Sequence, residues 1–293
     1  MTHPHDPYAV SRSYWDRYED VNIPLPKVDI EQDDQDPHSK RLLKTIDLWN
    51  NPVPEEAVRR ARRAYFGACS YVDDQVGKLL SVLKDCQLDN DTVVMFCSDH
   101  GDMLGEHGLW YKMSWFENSA RVPLLVNYPT RFAPRRVHEN VSTLDLLPTL
   151  VDLVGGKLEK ALPLDGRSFY PALFGQAIPN EVIGEYMGEG TIAPLLMIRR
   201  GNYKYISCPT DPPQLFDLSS DPLEVDNLAN SSDPKIAKVA AQFAAEIRKR
   251  WDMHGLTATV LQSQRQRRLC WEALRSGLFE PWDYQPRDDA TQK

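Results

Sequence analysis

The run Thr92 to Cys97, TVVMFC, constrains the fold more than any other stretch, because it is β-branched and apolar with no polar alternation. A strand of that composition is covered on both faces, as strands of parallel sheets are. The residues ahead of it, PEEAVRRARRAYFGACSYVDDQVGKLLSVLKD from Pro54, carry proline and acids in the first turn. Val58, Tyr65, Val72, Val76, Leu79 and Leu83 then recur at helical spacing, which predicts one long amphipathic helix. A helix that feeds a buried strand through a polar turn is the order of α/β proteins. The expected fold is therefore α/β, with a mostly parallel sheet and flanking helices.

Downstream, RVPLLVNYP reads as a second short buried strand and VSTLDLLPTLVDLVGG as a helix closed by glycine. The character then changes. APLLMIRRGNYKYISC and PQLFDLSSDPLEVDNLA contain strand-like runs around turn signals such as Arg200-Gly201-Asn202, which predicts a small antiparallel sheet. DPKIAKVAAQFAAEIRKRWDMHG reads as an amphipathic helix opened by Asp-Pro. A boundary near Ile192 divides the chain into an α/β part, 1–191, and a small α+β part, 192–293, made of the antiparallel sheet, a helix and a C-terminal tail. Residues 11 to 53 are polar with scattered proline and read as a long irregular excursion, of the kind that lines or covers a site.

Charge narrows the partners. The 293 residues carry 34 Lys and Arg against 42 Asp and Glu, net −8, with no basic tract, which argues against nucleic acid and anionic membrane surfaces. No apolar run approaches the ~20 residues of a membrane span, and MTHPHDPYAV lacks the basic start and apolar centre of a signal peptide, so the chain reads as cytoplasmic. The five cysteines are odd in number and lack CxxC spacing, and they read as ordinary buried thiols rather than a disulfide framework.

Directly behind the TVVMFC strand stands FCSDHGDMLGEHGLWYKM, Phe96 to Met113, dense in acids, histidines and glycines. In open α/β sheets ligands bind at the carboxyl ends of strands, so the position itself marks a candidate site. Asp99 and His100 are adjacent and would face opposite ways along a strand; Gly101 permits the turn that lets both converge on one cation. Carboxylate oxygen suits calcium or magnesium while imidazole leans toward transition metals, so the pair alone does not name the ion. Lys112, beyond a glycine-punctuated loop, can fold back to bind an anionic group or stabilise a leaving oxygen. At the amino end, THPHDPY holds His3 and His5 between prolines that keep the backbone extended, and a histidine there is a candidate general acid. Taken singly, each has an ordinary reading: Asp99 as a turn cap, Lys112 as a solvated lysine, and Trp110, Tyr111 and Trp115 as packing aromatics.

The combination resembles the sulfatase family, within the alkaline-phosphatase-like superfamily. FCSDHGDMLGEHGLWYKMSWFENSARVPLLV is similar to its second metal-binding motif. MTHPHDPY, RRAYFGACSYVDDQVGKLL, LDLLPTLVDLVG, DGRS and QLFDLSSDPLEVDNLA follow in the family's order. GDMLGEHGLWYKMSWFE and RRLCWEALRSGLFEPWDYQP resemble most the choline-sulfatase branch. The resemblance implies hydrolysis of a small-molecule sulfate ester, choline sulfate in the first instance. It assigns Asp99 and His100 to a divalent metal, calcium ahead of magnesium, and Lys112 to the sulfate. His5 falls on the leaving-group side, with His3 as second choice. In the tail, Trp282 and Asp283 offer an aromatic face and a carboxylate to a trimethylammonium group, in this subunit or a neighbouring one of a homo-oligomer.

Family chemistry uses a formylglycine hydrate nucleophile made from Cys in a C-x-P-x-R motif, and no cysteine here is followed by that pattern; CPTDP at Cys208 has proline misplaced and no arginine. The chain is accordingly expected to correspond to the C-terminal part of a sulfatase and to be inactive alone. Two other readings stand beside this one: an aryl or other alkyl sulfatase, or a phosphonate or phosphate ester hydrolase on the same scaffold, and a non-enzymatic truncated product or pseudoenzyme.

Overall fold

A computed structural model describes residues 2–157, 163–275 and 277. In chain order the elements are α1 (Arg12–Asp16), α2 (Pro37–Thr45), α3 (Glu55–Asp85), β1 (Val94–Cys97), α4 (Glu117–Ala120), β2 (Leu124–Asn127) and α5 (Leu146–Leu153). There follow β3 (Glu181–Tyr186), β4 (Leu195–Arg200), β5 (Tyr203–Ser207), β6 (Gln214–Asp217), α6 (Pro234–Arg250) and α7 (Met253–Leu274). Among the described residues no helix is long and apolar enough to cross a membrane.

The long helix forms as its periodicity predicts. Glu55 and Glu56 sit in the first turn of α3 and Lys84 in the last, each favourable to the helix dipole. Its small buried face, Ala64, Gly67 and Ala68, lets α1 cross closely: a Cβ on Gly67 would come within 3.1 Å of the Tyr14 carbonyl oxygen. The stretch expected to be irregular, 11 to 53, holds α1 and α2 as well as loop. α2 opens with Asp36 accepting from the backbone N–H groups of His38 and Ser39, with Pro37 next. A helix of nine residues is marginal by propensity, and tertiary burial of Leu42 and Leu43 sustains this one.

The expected mostly parallel sheet is corrected: both sheets among the described residues are antiparallel. β1 pairs with β2, Met95 opposite Val126, and the four-stranded sheet runs in the order β3-β4-β5-β6. Nor is β1 covered on both faces; its residues are half-buried and Cys97 is exposed. An apolar run reports how much cover a strand seeks and carries no information about the direction of its partner. The antiparallel sheet read from the later sequence is present, its central hairpin turning at Gly201 with φ +55. β3, ahead of Ile192, is one of the two edge strands of that sheet. The cysteines are unpaired as expected, but Cys69, Cys86, Cys97 and Cys270 are exposed and Cys208 is buried.

Along β4 successive side chains enter different cores. Leu196 and Ile198 join Leu215 beneath Phe243 and Ile247 of α6. Leu195 and Met197 face the other way, onto Met103, Leu109 and Phe116 of the loop that follows β1. The four-stranded sheet is therefore a wall with α6 on one side and the candidate loop on the other. Full burial of each Leu or Ile contributes roughly 1.5–3 kcal/mol, so the wall fixes that loop firmly.

Candidate functional site

At the end of β1 the chain turns at once. Ser98 Oγ donates to the His100 carbonyl at 2.7 Å, and Asp99 Oδ1 accepts from the His100 backbone N–H at 3.0 Å. The His100 Nδ1 lies 2.7 Å from the Gly101 carbonyl oxygen, an acceptor, so Nδ1 carries the proton and Nε2 keeps a lone pair. That Nε2 stands 3.6 Å from Asp99 Oδ2. Gly101 is needed for close approach: its N–H donates to the Ser119 carbonyl at 2.7 Å, and a Cβ would run into the Asn118 carbonyl oxygen of α4.

Beyond Gly101 the loop doubles back through a run of left-handed residues: Leu104, Gly105, His107, Gly108 and Tyr111, with φ from +47 to +90. Asp102 organises it. One carboxylate oxygen accepts from the backbone N–H groups of Leu104, at 3.0 Å, and Tyr111, at 3.2 Å; the other accepts the Tyr8 hydroxyl at 2.9 Å. Burial raises the Asp102 carboxyl above the ordinary range, against the pull of those donors. Burial and the adjacent carboxylate likewise drive the Tyr8 phenol upward, keeping its O–H a donor.

The doubled loop delivers Lys112 to the amino-terminal segment. Lys112 Nζ lies 2.7 Å from His5 Nε2. On its other side His5 Nδ1 reaches the Asp6 carbonyl oxygen at 2.7 Å and Asp6 Oδ1 at 3.1 Å, so Nδ1–H is the donor and Nε2 accepts from the lysine ammonium. The His5 and His100 rings stand edge to face with centroids 5.9 Å apart. His5, Asp99, His100 and Lys112 thus gather in one open cleft. His3, the other histidine of the motif, packs edge-on against Tyr71 instead.

The Asp99 and His100 pair fits part of a metal shell. Two ligands about 2.3–2.6 Å from one cation and near right angles stand roughly 3.3–3.7 Å apart, the separation found between Oδ2 and Nε2. Asp99 is 85% exposed, so its oxygens are open to an ion. Among the described residues no three His, Cys, Asp or Glu side chains converge to hold a metal. Trp110 is buried, and the Trp115 indole N–H donates to the Leu195 carbonyl at 3.0 Å while its ring covers Gly184, both in keeping with the packing reading. Trp282 and Asp283 lie outside the described residues.

Sequence reasoning missed Tyr8, Asp102 and Ser119, which set the positions of the others. Asp102 and Tyr8 sit inside the quoted motifs, but their bond spans 94 positions and no local pattern signals it.

Comparison with known proteins bears on this arrangement. A family model described as Sulfatase matches residues 1–156, one described as N-sulphoglucosamine sulphohydrolase, C-terminal, matches 105–252, and one described as Choline sulfatase enzyme C terminal matches 258–293. The chain is 46% identical over 296 residues to a choline-sulfatase of Rhizobium meliloti, covering all of this chain and 58% of that relative. It is 37% identical over 187 residues to an arylsulfatase K of Gallus gallus, covering 60% of this chain and 35% of that one. Its structure superposes on a phosphonate monoester hydrolase of Agrobacterium radiobacter with a TM-score of 0.70 at 24% identity, over 87% of this chain and 55% of the other, a likeness of fold.

Proposed function

Because the chain belongs to the sulfatase family, we propose that its cleft serves the hydrolysis of an alkyl sulfate ester, choline sulfate, with His5, Asp99, His100 and Lys112 as the working groups. The observation that carries the reading is the bond from Lys112 Nζ to His5 Nε2, 2.7 Å, with His100 beside it. A sulfate ester needs charge neutralised on its oxygens and a proton for the departing alkoxide, and only convergent groups supply both. The Lys112 ammonium takes the first task. His5 takes the second: Asp6 holds Nδ1–H, so Nε2, which accepts from Lys112 in the free chain, is the ring atom left to act once that ammonium turns to the sulfate. Protonated there, it would give the proton to the alkoxide oxygen as an attacking nucleophile bonds to sulfur and the ester S–O bond breaks. A divalent cation, calcium in preference to magnesium, would be held by Asp99 and His100 and would offset sulfate charge.

The nucleophile is not among these groups, since no C-x-P-x-R occurs in the sequence. Choline is favoured over other alcohols by the 46% identity to a choline-sulfatase and by the C-terminal match over 258–293. Trp282 and Asp283 in that segment suit its trimethylammonium group, which has no hydrogen-bond donor and is met by an aromatic face and a carboxylate.

Calorimetric titration tests the reading. Choline sulfate should bind saturably, and Lys112→Ala should weaken binding about tenfold or more, the loss expected for a charged hydrogen bond. Phenylphosphonate binding more tightly than choline sulfate would move the substrate to phosphonate esters. Binding indifferent to Lys112 would end the reading.

A further inference from the structure

Four charged side chains lie behind the site and take no part in the chemistry above. Arg199 of β4 and Lys204 of β5 are direct cross-strand partners, on the face of the sheet that looks toward the candidate loop. Lys204 is 1% exposed. Its ammonium stands 2.6 Å from Glu117 Oε1, 2.8 Å from the Trp115 carbonyl, and 2.7 Å from Glu224 Oε1, the last an ion pair off the ideal hydrogen-bond line. Arg199 Nη1 donates to both Glu117 oxygens, at 2.9 and 2.8 Å. Glu224 Oε2 accepts the Glu117 backbone N–H at 2.5 Å, so Glu117 is held through its side chain and its backbone alike.

Two cations balance two carboxylates in this cluster. Buried ion groups of this kind give little net stability compared with an apolar filling, and their best-attested use is to fix one arrangement among several. Here the arrangement concerns α4, whose first residue is Glu117. Two residues on, Ser119 is 3% exposed and acts in two directions. Its carbonyl accepts the Gly101 N–H at 2.7 Å, next to His100, and its hydroxyl donates to the Lys112 carbonyl. The short helix therefore joins the Asp99–His100 turn to the Lys112 end of the loop, and the sheet holds the helix.

We propose that Glu117, clamped by Lys204, Arg199 and Glu224, is a positioning residue that sets the spacing between His100 and Lys112 by way of Ser119. The inference rests on the reading of that cleft as a sulfate-ester site only for its functional consequence; the spacing itself is a property of the fold. Glu117→Gln keeps the shape but weakens the clamp. Ser119→Ala removes the hydroxyl arm toward Lys112 and keeps the carbonyl arm toward Gly101. The two variants should therefore act differently.

The test records histidine side-chain nitrogen spectra of the intact chain, well below its melting temperature, together with choline sulfate affinity. In Glu117→Gln the His5 and His100 imidazole signals should both move, and affinity should fall about tenfold, within the range by which distant positions couple to a site. In Ser119→Ala the His5 signal should move while that of His100 stays. A Glu117→Gln protein that melts earlier, yet keeps both signals and the wild-type affinity when folded, would overturn the proposal by reducing Glu117 to a stabilising role. Should Glu117→Gln fail to fold, Arg199→Met and Ser119→Ala decide, and unchanged His5 signals in both would refute it. A wild-type chain that fails to bind choline sulfate, while the spectra still shift as described, would instead remove the substrate reading and leave the positioning role standing.

Discussion

Lys112 Nζ and His5 Nε2 are 2.7 Å apart, joined across 107 positions of sequence. If they act on one ligand, their contributions to its binding are coupled. Single substitutions His5→Ala and Lys112→Ala should each weaken choline sulfate, and the double variant should lose less than the sum, with a coupling of about 0.5–3 kcal/mol typical of contacting pairs. Strictly additive losses in the calorimetric cycle would show two independent contacts.

Tyr8 donates to Asp102 at 2.9 Å, and that carboxyl is already raised by burial. Tyr8→Phe takes away a donor and should destabilise the chain by about 1.5–3 kcal/mol, the range for hydrogen bonds to charged groups. Urea midpoints read this directly. An unchanged midpoint would mean that water replaces the phenol.

Gly101 has no room for a side chain, because the Asn118 carbonyl occupies the place of a Cβ. Gly101→Ala should push α4 from the turn and cost about 1–3 kcal/mol, as overpacking does. Because Ser119 lies on the same helix, the His100 imidazole signal should shift too. Wild-type stability in this variant would contradict the packing described.

Burial lowers the pKa of both His38 and His107. The charges of Asp36, Arg41 and Asp211 act on His38, and those of Glu106, Asp36 and Asp221 on His107, each to a smaller extent than burial. The fold holds both rings neutral, so the unfolded chain takes up the extra protons first. Their stabilising contribution is complete above the unfolded value of about 6.5 and is lost as pH falls below it toward the folded values. Urea midpoints should fall between about pH 7 and pH 5, less steeply in His38→Gln. A midpoint that is flat or rises on acidification would refute this.

Lys204 stands between two buried carboxylates that titrate in opposite directions from the ordinary range. Glu224 is raised by burial; burial would raise Glu117 as well, but Lys204 and Arg199 hold it below the usual range. Lys204→Met strands Glu224 and leaves Glu117 with Arg199 alone, and should cost about 3–5 kcal/mol, as breaking a buried ion pair does. Adding Glu224→Gln removes one stranded charge and should recover part of the loss. A double variant less stable than the single, in thermal or urea unfolding, would show that Glu224 does not depend on Lys204.

What the sequence determined by itself was local. The period of apolar residues marks α3, Asp233-Pro234 opens α6 with the Asp233 carboxylate on the Lys235 N–H, and Gly201 turns the β4–β5 hairpin, since each signal lies within one turn of the element it governs. The candidate residues could be picked out for a related reason: Asp99, His100 and Lys112 lie within one short motif, and His5 within another. Tertiary structure decided the rest. The direction of the strand beside β1, the existence of α2, the choice of His5 over His3 as the neighbour of Lys112, and the hold of Lys204 and Glu224 on Glu117 all depend on residues far apart in sequence. A side chain's type sets which bonds it can make, but which partner comes within reach is settled only when the sheet, α4 and the loop after β1 pack against one another and exclude water.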